Sequence, residues 1–172
     1  MKPEKSTLTR RELLSRSAAA GAALVVGSGY VASSTAAWAL EVEYLAPASM
    51  ATLIQMARDI YPHDHVGDEF YAIAVKGYDT ADSAVMIEAG IASLDAAAVG
   101  KGFDSYVATG WERDRVDILR SMEESPFFQT IRGGLVTGLY NQKPVWPLFG
   151  YEGESFSQGG YIDRGFDDIT WI

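Results

Sequence analysis

Two histidines stand two residues apart in Pro62-His63-Asp64-His65, and imidazole is the commonest nitrogen ligand of zinc and other borderline metals. Residues i and i+2 share a face only in a strand, however, and no third or fourth ligand is obvious nearby. Capping the end of a helix, or hydrogen bonding at a turn or interface, is the alternative use of the pair. The adjacent acids Glu123-Glu124 and Asp167-Asp168 point in different directions rather than at one substrate, so solvated surface or partner contact is expected of them. Gly-x-Gly-x-x-Gly, a Walker loop, Gly-x-Ser-x-Gly and His-Glu-x-x-His are all absent, which leaves no nucleophile with a recognisable base. There is no cysteine, which excludes disulfides, thiolate-held iron–sulfur clusters and haem attached through Cys-x-x-Cys-His. The expectation is a chain with no catalytic, cofactor-binding or metal-binding residues of its own.

The first forty residues carry the strongest organisational signal. Thr9-Arg10-Arg11-Glu12-Leu13-Leu14 precedes an uncharged stretch, 17–40, that ends around Ala37-Trp38-Ala39. A paired arginine, a moderately apolar Gly/Ala-rich segment and small residues at a peptidase site read as a twin-arginine (Tat) signal, with Arg10 and Arg11 as the pair and cleavage after Ala39. Retention of residues 17–40 as a transmembrane anchor is the competing reading, because a span needs roughly 20 apolar residues. The glycines and serines of the stretch make it less apolar than a typical span.

Cleavage would remove five basic residues (Lys2, Lys5, Arg10, Arg11, Arg16) and two acidic ones (Glu4, Glu12), leaving 9 Lys+Arg against 21 Asp+Glu and a net charge of −12. So acidic a body repels phosphate backbones and anionic headgroups, which argues against nucleic acid as a partner. Roughly 130 residues make one domain with its own core.

Apolar spacing through this body is helical. From Pro47, Met50, Leu53, Ile54, Ala57 and Ile60 mark one face of a helix that Pro62 ends. A short helix is expected over about Glu69 to Tyr78. A third, with Ile87, Ile91, Leu94 and Ala98 inward, runs from the Asp79-Thr80 break to Gly100-Lys101-Gly102. A fourth spans about Glu112 to Glu123, with Ile118, Leu119 and Met122 inward. A fifth opens at Ser125-Pro126 and carries Phe128, Ile131, Leu135 and Leu139. Gly133, Gly134 and Gly138 weaken that helix and suit close helix packing. The fold class is all-α, a small helical bundle over 40–142.

After Gln142 the helical period stops. Residues 143–172 form an extended tail with five glycines and evenly scattered rings, among them Trp146, Phe149, Tyr151, Phe156, Tyr161, Phe166 and Trp171. A disordered linker is poor in aromatics, so these rings are expected to be buried, either on the bundle or against a partner. The partner-wrapping reading takes Trp146, Tyr151, Tyr161, Phe166 and Trp171 as anchors.

The helix ending Ala57-Arg58-Asp59-Ile60-Tyr61-Pro62-His63-Asp64, then Phe70-Tyr71, Asn141-Gln142-Lys143-Pro144-Val145-Trp146, Gly150-Tyr151-Glu152-Gly153 and Gly159-Gly160-Tyr161, together with the export signal, resemble the gluconate 2-dehydrogenase subunit 3 family. The resemblance implies the small (gamma) subunit of a periplasmic dehydrogenase complex. Its large partner would be a GMC-type flavoprotein that holds FAD and oxidises a sugar or polyol. A cytochrome c subunit often takes the electrons. The small subunit would act as chaperone and Tat escort, touching the membrane only through the complex or an uncleaved signal. Two other classes are consistent with the residues: a stand-alone periplasmic metal-binding enzyme using His63 and His65, and a membrane-tethered structural protein.

Overall fold

The computed structural model describes residues 42–163. Arg10, Arg11, Ala37 and Ala39 of the expected signal lie outside the described residues, as do Phe166, Trp171 and the Asp167-Asp168 pair.

Five α-helices follow in chain order, with no strand among the described residues. The expected all-α bundle is the observed architecture. α1 (Pro47–Ile60) begins with proline in its first turn and leaves helical geometry at Tyr61, one residue before Pro62. Met50, Leu53, Ile54 and Ala57 face the core, while Ile60 is half-buried. α2 (Asp68–Lys76) opens with Asp68 and Glu69 in its first turn and closes with Lys76 in its last, matching the helix dipole at both ends. α3 (Ala81–Gly100) is capped by Thr80, whose Oγ1 accepts from the Ser83 N–H, and buries Ile87, Gly90, Ile91, Leu94 and Ala98. α4 (Glu112–Ser121) buries Ile118 and Leu119. α5 (Pro126–Tyr140) is capped by Ser125, which accepts from the Phe128 N–H at 3.2 Å.

The α5 stripe differs from the expected one by a residue at its start. Phe127, not Phe128, is its buried ring. Gly90 of α3 is the reason: the Phe127 ring occupies the space a side chain at position 90 would fill. Gly138 permits the other close approach. A Cβ there would lie 3.0 Å from the carbonyl oxygen of Ala74 and 3.3 Å from its Cα, so α2 and α5 meet nearly backbone to backbone.

Three polar devices fix how the helices are joined. Asp59, its side chain only 2% exposed, accepts from Arg115 Nε at 2.7 Å and Nη2 at 3.0 Å, and from Tyr106 Oη at 2.6 Å. Arg115 also donates to the Thr109 carbonyl at 2.9 Å, so α1, α4 and the loop between α3 and α4 meet at one carboxylate. Burial, then the neighbouring Asp59 charge, pushes the Tyr106 hydroxyl far above the usual phenol range.

At the α2–α3 junction, Asp79 accepts the backbone N–H groups of Glu43, Tyr44 and Leu45 at 2.9 to 3.0 Å and the Lys76 ammonium at 3.1 Å. Burial would raise this carboxyl, but the three amides and the ammonium outweigh it and hold it well below the carboxylate range. Glu88 of α3 accepts from the Ala46 N–H at 2.8 Å and the Ser49 hydroxyl at 2.6 Å, fixing the start of α1.

Candidate partner-docking surface

The site begins with Arg58, near the end of α1. Its Nε donates to Asp68 at 2.7 Å, while Nη1 and Nη2 donate to the carbonyls of His63 and Val66 at 3.4 and 3.2 Å. The guanidinium carbon stacks 5.0 Å from the Tyr71 ring centre. One side chain thus holds the irregular stretch between α1 and α2 in a fixed turn. Tyr71 adds to it, donating to the Tyr61 carbonyl and accepting from the His63 N–H.

That turn aims both imidazoles at the far end of the bundle. His63 Nε2 lies 2.7 Å from Tyr140 Oη at the end of α5. Both histidine rings stand edge to face with Phe149, each with centroids 4.9 Å apart, and Tyr140 completes the cluster. Burial, with a smaller contribution from His65, lowers the His63 pKa and so favours the neutral ring. The histidines therefore form a turn-and-aromatic contact. Among the described residues no group of three or more His, Cys, Asp or Glu side chains is placed to hold a metal ion.

Phe149 belongs to the segment that follows α5. Residues Lys143–Phe149 form a 3-10 turn, ended by Gly150 at φ 74°, a left-handed position suited to glycine. A second such turn covers Ser155–Gln158. Val145 is buried in the core, and Trp146 is half-buried with its Nε1 donating to the Tyr140 carbonyl at 2.8 Å. Its ring meets Tyr151 edge-on at 5.2 Å, and Lys143 Nζ sits 5.6 Å from the ring centre. Tyr140, Asn141, Trp146, Phe149 and Tyr151 line a shallow groove along this arm.

The anchors named from the sequence separate into two kinds. Trp146 is the root of the arm, tied to α5. Tyr151 and Tyr161 are exposed. The arm also exposes apolar groups that were not singled out as anchors: Leu148, Phe149, Phe156 at 92% and Ile162 at 82%. For Phe149 and Phe156 the signal was the same aromatic scatter, and what separates them from Trp146 is the N–H donor that gives Trp146 a partner on the bundle. Glu123 and Glu124 are exposed at the end of α4.

Chemically, the arm presents apolar and aromatic surface to solvent. Phe149 and Tyr151 of the arm line the aromatic groove, and the nearby imidazoles contact rings and the Tyr140 phenol. No protein-family model, curated protein or solved structure matches this chain.

Proposed function

We propose that this chain is the non-catalytic small subunit of a periplasmic FAD-dependent dehydrogenase complex acting on a sugar or polyol, serving as chaperone and Tat escort for a GMC-type flavoprotein. The observation that carries the reading is the arm: a segment rooted on the bundle through Val145 and Trp146, with Tyr151, Phe156, Tyr161 and Ile162 turned to solvent. Burying such groups is worth about 25 cal/mol per Å² of apolar area before association costs are subtracted. Interfaces concentrate their energy in aromatic anchors. The Arg10-Arg11 signal and the resemblance of the Tyr61–Asp64, Asn141–Trp146 and Gly159–Tyr161 segments to the gluconate 2-dehydrogenase subunit 3 family support the same reading. FAD belongs to the large subunit in this scheme, and a cytochrome c subunit is the natural electron acceptor.

The test is purification of the C-terminally tagged chain from its native periplasm, followed by mass spectrometry and a visible spectrum. A stoichiometric larger chain with flavin absorption is expected. A single colourless chain overturns the reading and returns the histidines and residues 17–40 to consideration as a metal site and an anchor.

A further inference from the structure

Past Trp146, which is tied to the Tyr140 carbonyl, the arm returns to the bundle through Phe149. Farther out, Lys143 bonds to Glu154 and Gln158 to the Glu152 carbonyl, which joins arm residues to one another. Phe149 meets His63 and His65 at the same centroid distance of 4.9 Å, and the two imidazole centroids are 5.7 Å apart. One benzene ring thus rests on two titratable rings, both carried by the turn that Arg58 fixes.

No carboxylate is bonded to this pair from any element around it. Within the turn, Asp64 stands between the imidazoles in sequence and, among the described residues, makes no ion pair with either. Arg58, whose Nη1 donates to the His63 carbonyl, adds a positive charge from α1, and its partner Asp68 on α2 is already engaged. α2 also contributes the Tyr71 phenol, which accepts from the His63 N–H, and α5 contributes the Tyr140 phenol, itself against Tyr61. On the arm, Lys143 is paired with Glu154. A single imidazolium is compatible with an aromatic neighbour. Two of them 5.7 Å apart repel each other, and burial opposes charging His63.

We propose that His63 and His65 form a pH-sensitive latch: charging both rings drives Phe149 off them, and the segment from Leu148 outward swings free while Val145 and Trp146 keep the arm rooted. The first proton goes to the exposed His65 and leaves the latch closed. The second, on His63, opens it, so release falls on the acid side of the ordinary histidine value of about 6.5. Above that range the outer arm is held in one position against the bundle, and below it the same rings are presented on a loose tether. The device works within this chain and does not depend on which partner the arm meets.

Backbone nitrogen relaxation of the full chain between about pH 8 and about pH 5 tests this, with the ring protons of both histidines followed in the same samples. Order parameters of the Leu148–Tyr151 amides should stand near about 0.85 at the alkaline end and fall below about 0.6 at the acid end. The fall should track the second imidazole titration while the α5 amides through Leu139 stay rigid. His63→Gln and His65→Gln each leave one titratable ring and should keep the arm ordered throughout. An arm that stays ordered with both rings charged overturns the proposal, and so do rings that remain neutral down to about pH 5. Loosening that persists in either variant, or that follows carboxylate titration near about pH 4, overturns it as well. A loss shared with α5 is unfolding rather than release and counts against the latch in the same way.

Discussion

His63 and Tyr140 are 77 positions apart in sequence, yet Nε2 of one lies 2.7 Å from Oη of the other. That contact closes the turn after α1 onto the end of α5, where the arm begins. Burial lowers the His63 pKa below its ordinary value, so the folded chain binds fewer protons at this site than the unfolded chain. The stability it contributes is complete above the unfolded value of about 6.5 and declines as pH falls through that value towards the lowered folded one. Thermal melts between about pH 8 and pH 5 should therefore show a steeper acid loss for the native chain than for His63→Gln. Parallel curves would mean that the imidazole does not titrate with folding.

Asp59 and Arg115 make a second long-range pair, with both partners largely out of solvent. Arg115→Ala leaves a carboxylate nearly buried and should cost about 3–5 kcal/mol. Tyr106→Phe removes one hydrogen bond to that carboxylate and should cost about 1–2 kcal/mol. Urea denaturation of the two variants should keep that order. Equal losses would show that Asp59 is held as firmly by Tyr106 as by Arg115.

The glycines of α5 should respond in opposite directions. Gly133 faces open space, so Gly133→Ala should stabilise the chain by roughly 0.5–1 kcal/mol through helix propensity. Gly138→Ala drives a methyl group against the Ala74 backbone and should destabilise by about 1–3 kcal/mol as α2 and α5 move apart. Melting temperatures measured side by side separate the two, and a stabilised Gly138→Ala would contradict the close helix approach.

Removal of the arm has a correct place to cut. Deleting from residue 143 would take away Val145, which is buried in the core, and the Trp146 bond to Tyr140. Deleting from residue 151 keeps both, together with Phe149 against the imidazoles. The shorter deletion should leave far-ultraviolet circular dichroism and melting temperature nearly unchanged while abolishing copurification of a large flavoprotein. Continued copurification of an active dehydrogenase would remove the arm's outer half from the interface.

The helices were legible because their signals are local. Pro47 and Ser125-Pro126 mark starts, Pro62 and the Gly100–Gly102 turn mark stops, and Met50 to Ala57 repeat at the helical period. What could not be read depends on partners far apart in the chain. Asp59 sits two positions past Ala57 like any surface acid, and only folding brings Arg115 to it from 56 residues away. Phe127 and Phe128 are equivalent by type, and Gly90 on another helix decides which one is buried. The Pro62–His65 motif suggested a turn contact without naming Tyr140 or Phe149, because nothing in its spacing points to the far end of α5.

Asp79 grips three consecutive amides, from Glu43 to Leu45, and this defines a graft point. Val42, just ahead of the clamp, packs against the core, so a leader, affinity tag or fused reporter should be exchanged ahead of it, where the clamp takes up a pull before it reaches α1. A fusion joined ahead of Val42 should inherit an intact body. One joined inside 43–45 would unhook the first helix from the junction of the second and third.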